Sequence, residues 1–365
     1  MKQPKTLLLV VIALLPLILV SCLPTGASVS TGWAGTAFRD GTIYVGTKDG
    51  SVVAVNSSSH SQQWDYAFNA AIYTTPVVDG DLVYVGTYSG QLYALTTARG
   101  VERWVYPRTG SMGAVVGDPV IGNETVYVAS SDGSVYALDT TYGDLKWKSE
   151  SLADKLWTSP VIAGDTLYVS TFDGHIYALS VEIGELLDWS FKSDAGFASS
   201  PVVYEDTVFL GSFDRHLYAV AVGSNVSAWR FPREKPAGNW FWASPLVSNG
   251  TVYAGCLDGK LYAIEAKTGE ELWEFDAGNA IVASPVLMNN LLVVTDESGT
   301  VHVFDLNTEL EEQAVPLKSV SIGAQVKSSF CGQDGLVYIR GGDESIYVVD
   351  IDRGELSWTA SLSIK

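Results

Sequence analysis

Six tryptophans, Trp64, Trp104, Trp147, Trp189, Trp229 and Trp273, recur at intervals of 40 to 44 residues, and Trp358 follows at 85, twice the interval. A second marker keeps the same period: Pro76, Pro119, Pro160, Pro201, Pro245 and Pro285. A third is the turn series Asp49-Gly50, Ser89-Gly90, Asp132-Gly133, Asp173-Gly174, Asp214-Arg215, Asp258-Gly259 and Ser298-Gly299. Three markers on one period identify a repeat architecture of eight units over 34–365. No arrangement of independent globular domains would impose such spacing.

Each unit holds four short β-type runs. In the sixth they are ASPLVS, TVYAGC, KLYAIE and ELWEFD. Asn249-Gly250 and Asp258-Gly259 separate the first three runs as tight hairpins, since primed turns need positive φ. Lys267-Thr268-Gly269 makes the third connection. No apolar stripe of helical period persists for ten residues. Each unit is therefore expected to be a four-stranded antiparallel meander. A sheet with two apolar faces needs a neighbour on each side, so the chain is expected to be all-β, an eight-bladed β-propeller. Proline cannot donate to a ladder, which puts run one on the free edge at the hub. The recurring Trp puts run four at the rim, wedged between blades. One indole buries about 150–250 Å², an upper bound of roughly 4–6 kcal/mol per junction at about 25 cal/mol/Å². In blade seven, Gln313 of LNTELEEQAVPL stands at the Trp position, so this junction is expected to be the weakest. All eight units are complete in the order one to four, which favours closure by face packing of blades one and eight over a swapped strand.

The hydrophobic content of 47% supplies a large core, and the net charge of −19 excludes nucleic acid as a partner. Residues 1–22 form a separate object. Lys2 and Lys5 precede a 14-residue apolar run from Leu7 to Val20, too short to span a membrane and suited to export. The run ends in Leu19-Val20-Ser21-Cys22, which resembles the lipobox of bacterial lipoproteins, in which the Cys carries the lipid. The alternative is a plain signal peptide cut after a small residue. The organisation read here is leader 1–22, tether 23–33 and propeller 34–365. Leu23 follows the Cys, where an Asp resembles an inner-membrane retention signal; this favours the periplasmic face of an outer membrane, or the outer face of the cell membrane where no outer membrane exists. Without Cys22 only Cys256 and Cys331 remain, in blades that are not neighbours, so no disulfide is expected.

The phrase Tyr-Ala-Leu/Ile, then Thr-Gly-Glu or a close equivalent, then Trp recurs along the chain, clearest in LYAIEAKTGEELWEF and VYALDTTYGDLKWKS. This resembles the quinoprotein-type, or PQQ-like, propeller repeat, over the whole of 34–365. One branch of that family comprises quinone-dependent alcohol and sugar dehydrogenases, whose pattern includes an adjacent Cys pair, a calcium site and sometimes C-x-x-C-H. The sequence has no adjacent Cys and no C-x-x-C, so the resemblance does not bring the quinone cofactor with it. The layout of lipobox, short tether and eight blades resembles instead the BamB-type lipoproteins, propeller subunits of the machinery that assembles outer-membrane β-barrels. That resemblance implies an envelope protein as partner and a monomeric propeller.

Chemistry is sparse. His175 and His216 hold equivalent places after the second hairpin turn and read as solvated turn residues rather than metal ligands. Asp350 and Asp352 are the nearest paired acids. The sequence carries no calcium loop, no G-x-S-x-G, no H-E-x-x-H and no phosphate loop. Neither a catalytic residue nor a metal site is assigned. One feature stands out: large aromatics just before the hub prolines, namely Tyr73, Trp157, Phe197, Trp240, Phe241 and Trp242. They fall on connections into the hub strand and are expected to gather at one funnel mouth, capping the inner core or forming a partner or ligand surface. Lys155, Arg233 and Lys235 lie in the same class of connections and could steer an acidic partner. The function expected is a non-catalytic interaction scaffold at the cell envelope. The alternatives are a small-ligand binder or sensor using the funnel, and a quinone-dependent oxidoreductase.

Overall fold

A computed structural model describes residues 34–152, 154–308 and 313–362. The leader 1–22 with Cys22 and the tether 23–33 lie outside the described residues. The described chain forms eight four-stranded antiparallel sheets, each ordered as in the sequence. In blade six the strands are Leu246–Ser248, Thr251–Gly255, Lys260–Glu265 and Glu271–Asp276. Asn249 and Gly250 both take positive φ, 49° and 77°, as the first hairpin demands. Among the described residues no strand is swapped between the first and last blades, and their faces pack against each other.

Sheets pack face to face through apolar clusters shared by neighbours. Phe209 and Trp229 of blade five meet Val252 and Tyr262 of blade six, and Ile43 and Val53 of blade one meet Ile346 and Val348 of blade eight. First strands of adjacent blades approach one another, which places them at the hub. In the fourth strand a one-residue bulge just before the Trp re-aims it toward the next blade, as where Ala263 pairs Trp273 but Ile264 pairs Glu271.

In the first five blades each rim indole hydrogen-bonds the next blade, and four of the five also cover a glycine there. Its Nε1 donates to a backbone carbonyl of the following blade: Trp64 to Thr97 (2.7 Å), Trp104 to Thr140 (2.9 Å), Trp147 to Val181 (3.1 Å), Trp189 to Ser224 (2.7 Å) and Trp229 to Ala266 (2.9 Å). In four of the five the ring also lies on a glycine of that blade, Gly100, Gly143, Gly184 or Gly269, where an added Cβ would stand 2.3–2.6 Å from the indole. The glycine of the third connection is thus required twice at these four positions, by its positive φ and by the ring on top of it.

The junction after blade six, where Trp273 stacks on Phe304 (5.7 Å), departs from this plan, and so do two more. In blade seven the residue opposite Val303, where the other blades carry Trp, is Lys318 and not Gln313. Its Nζ donates to the Ile351 carbonyl (3.1 Å) and to that of Asp352, and its stem lies on Gly354. The expectation for Gln313 therefore fails because the 306–317 segment carries extra residues. Gln313 instead makes a parallel bridge to Glu274 on the outer strand of blade six, and the Ala314 amide donates to the Glu274 carbonyl (2.8 Å). Lysine keeps the hydrogen bond and loses most of the apolar area of an indole. Lys318→Ala is expected to lower the urea midpoint by the equivalent of about 1–2 kcal/mol. Amide exchange should find blade seven the least protected; protection equal to that of blade five runs against this account.

At the closing junction, Trp358 stacks on His60 (4.1 Å, 18° between planes) rather than on glycine. Deeper in this seam the buried Arg340 donates to Glu344 (2.5 Å) and to the Ala34 carbonyl (3.4 Å). Glu344 also accepts the Lys48 amide of blade one (2.9 Å).

Candidate functional site

The hub is laced by the residues that precede its prolines. A following proline holds each of them extended, and at a free strand edge its N–H needs another partner. The Thr75 amide donates to Asp118 Oδ1 (2.6 Å), Asp118 to Ser159 Oγ (2.8 Å), Ser159 to Ser200 Oγ (2.9 Å), Ser200 to Ser244 Oγ (3.1 Å) and Ser244 to Ser284 Oγ (3.0 Å). The string runs one way, from blade two to blade seven. Every station carries a side-chain oxygen, a signal present in the sequence as Ser, Thr or Asp before Pro and missing from the sequence reading above.

The string encircles a cavity of about 260 Å³. Its lower wall is hydroxyl-rich, with Thr158, Ser159, Ser199, Ser200, Ser244, Ser284 and Ser329. Asp118 is the one charged side chain that lines it, and the mouth is aromatic. Burial raises the Asp118 carboxyl to about 6, with the amide and hydroxyl of Thr75 pulling it back down.

Backbone alternation sorts the aromatics. Two residues before each station the side chain faces the mouth, as with Tyr73, Trp157 and Trp242; three residues before, it enters the core, as with Leu156, Phe197 and Phe241. Phe241 is 0% exposed and packs against Phe231 and Tyr262, so it is not part of any partner surface. Phe197 is nearly buried, packed against Tyr218, yet still lines the cavity. Tyr73, Trp157 and Trp242 line it too, whereas Trp240 does not but packs against Phe213, which does (5.1 Å). Three rings absent from the sequence reading complete the mouth: Tyr88, Phe172 and Phe213, from the turns between second and third strands. An aromatic in a turn otherwise filled by Lys48, Ser131 or Glu297 was the available signal.

The rings form an arch over blades four to six. Trp157 meets Phe172 at 5.1 Å, Phe172 meets Phe213 at 5.2 Å, and Phe213 meets Trp240 at 5.1 Å. Such tilted, edge-on contacts suit aromatic quadrupoles and fix the arch. Trp157, Phe172 and Trp240 nevertheless remain 38%, 41% and 40% exposed. Lys155 Nζ sits 5.6 Å from the Trp157 ring, at the end of the arch. Arg233 and Lys235 do not join it. Both line a groove between blades five and six together with Glu270 and Glu271, where Arg233 donates to the Thr268 carbonyl (2.5 Å).

His175 is held by Asp173 (3.0 Å), whereas His216 is buried beside Asp214 (3.3 Å) and is not a solvated turn residue. Among the described residues no group of three or more His, Cys, Asp or Glu converges on a common point. Cys256 and Cys331 are free thiols.

The sequence matches the family model described as "Outer membrane protein assembly factor BamB" over 23–231, 151–275, 228–313 and 262–364. A search of curated proteins returned no match. Among solved structures, BamB from Moraxella catarrhalis superposes with a TM-score of 0.68 at 19% identity, covering 86% of this chain and 93% of that one. The computationally designed Ika8 protein gives 0.73 at 15% identity, over 88% and 97%. Quinohemoprotein alcohol dehydrogenase from Comamonas testosteroni gives 0.68 at 13% identity, over 88% of this chain and 71% of that one. Similarity at these identities establishes the fold.

Proposed function

The chain belongs to the family of the outer membrane protein assembly factor BamB, and from that premise we propose that it is an envelope scaffold that docks a protein partner on the aromatic arch. The observation that carries this reading is the arch itself. Trp157, Phe172, Phe213 and Trp240 are locked against one another on short turns of a rigid ring, yet three of the four stay open to solvent. Pre-ordered aromatic rings in a contiguous exposed patch are what binding hot spots are made of. The partner is a component or client of outer-membrane protein assembly, and the propeller is held at the membrane by a lipid on Cys22.

The reading is non-catalytic. The cavity does not suit a polyanionic quinone: no Lys or Arg lines it, and its one charge, Asp118, has the same sign as such a cofactor. No reaction step is assigned to it.

Crosslinking in native membranes tests the scaffold. The wild type is expected to capture a discrete assembly component, and Trp157→Ala and Trp240→Ala to reduce that capture about tenfold or more, with unchanged thermal midpoints. An undiminished crosslink in both variants, or no crosslinked envelope protein with the anchor intact, removes the arch as the docking surface.

A further inference from the structure

The lacing string does not need a carboxylate. At Ser159, Ser200, Ser244 and Ser284 a neutral hydroxyl accepts the preceding blade's N–H at 2.8–3.1 Å. Blade three alone among these uses Asp118, which takes the Thr75 amide through one oxygen. Exchanging a hydroxyl for a carboxylate in a confined hub shortens the bond to 2.6 Å but costs desolvation that the string avoids at its other stations. The charge is also left without a counterion: among the lining residues the other titratable groups are the phenols of Tyr73 and Tyr88, and Lys, Arg and His are absent. Lys327, in the corresponding connection into blade eight, is paired with Glu297 (3.0 Å) and is not among the lining residues. A surplus, uncompensated carboxylate beneath aromatic walls is the arrangement that receives a cation.

We propose that the hub cavity is a binding site for a small aliphatic primary amine, its ammonium on Asp118 and its alkyl chain between the aromatic rings of the mouth. An ammonium has three donors. Asp118 takes one, and the hydroxyls on the hub wall, Ser159 nearest to it in the string, offer acceptors for the others. Trp157, Phe197 and Trp242 line the same cavity and supply the apolar walls. At about 30 Å³ per water-sized group, the cavity accommodates about eight such groups, the size of a short alkylamine or diamine. The overall charge of −19 concentrates cations around the molecule and repels carboxylate ligands. A neutral sugar would leave Asp118 uncompensated. The site stands whether or not the arch docks a protein.

The same chemistry is offered by a free amine and by a lysine side chain on a docked polypeptide. Titration calorimetry with 1,5-diaminopentane reports the first, and titration with a glycine-flanked, end-blocked lysine peptide reports the second. Saturable binding of either probe is expected, weakened about tenfold or more by Asp118→Asn. The amide keeps Oδ1 for the Thr75 N–H, and circular dichroism verifies the fold of the variant. A second readout needs no variant. The amine binds the ionised carboxylate, so affinity should be level from about pH 7 to 9 and fall about tenfold per unit below about 6, where Asp118 takes up its proton. The idea is overturned if neither amine binds, if glucose or acetate binds as well as the amine, or if Asp118→Asn leaves amine affinity unchanged.

Discussion

Trp229→Ala is expected to destabilise the propeller by about 3–5 kcal/mol, read as a lowered urea midpoint. The indole is 7% exposed, stands 5.7 Å from Phe209 in its own blade, lies on Gly269 of the next, and donates to the Ala266 carbonyl at 2.9 Å. Truncation opens a cavity between two sheets that cannot slide together, because their hub ends are tied through Ser200 and Ser244. The backbone of the Gly269 turn cannot collapse into the gap either, since its positive φ of 71° is fixed by the hairpin. Trp358 is the internal control. It is only partly buried and meets His60 instead of glycine, so Trp358→Ala should cost about half as much. Equal losses at the two positions would mean that the indoles fill space without clamping blades.

The second large effect is expected at the closing seam. Glu344→Ala should cost about 3–5 kcal/mol, because it strands the buried Arg340 guanidinium with only the Ala34 carbonyl as partner. Joining it to Arg340→Met should restore much of the loss, since the stranded charge, not the missing contact, is the main penalty. Chemical denaturation of the two single variants and the double variant measures the coupling. A double variant whose loss equals the sum of the two single losses shows no coupling between Arg340 and Glu344 and overturns this account.

What was legible in the sequence follows from periodicity. Strand order repeats eight times, rim tryptophans seven times and hub prolines six, and a repeated pattern averages out local ambiguity, so the propeller was readable from Trp64 to Trp358. Where the period breaks, the reading failed. Counting from the sequence put Gln313 at the rim, but strand pairing selects Lys318, while Gln313 and Ala314 pair with Glu274 of blade six. The aromatic mouth was half legible. Position relative to proline found Tyr73, Trp157, Trp240 and Trp242, but a list by composition could not separate Trp242 from Phe241. Only the alternation of an extended backbone turns one toward the mouth and its neighbour into the core. Phe172 and Phe213 come from another turn altogether and join the arch only when blades stand side by side. Asp118 was not singled out in the sequence; its isolation among hydroxyls is a property of the closed ring.

The one-way lacing at the hub gives the ring a preferred point of opening. It ties blades two to seven, whereas blade one offers Gly35, with no side-chain oxygen, beside the Ser329 backbone. Ala34 and Leu362, the ends of the described chain, also sit at that interface. A molecule prised apart there would remain a curved strip with its middle blades still threaded together. A circularly permuted chain with its new ends between blades four and five would instead have to sever the link from Ser159 to Ser200 each time it opened.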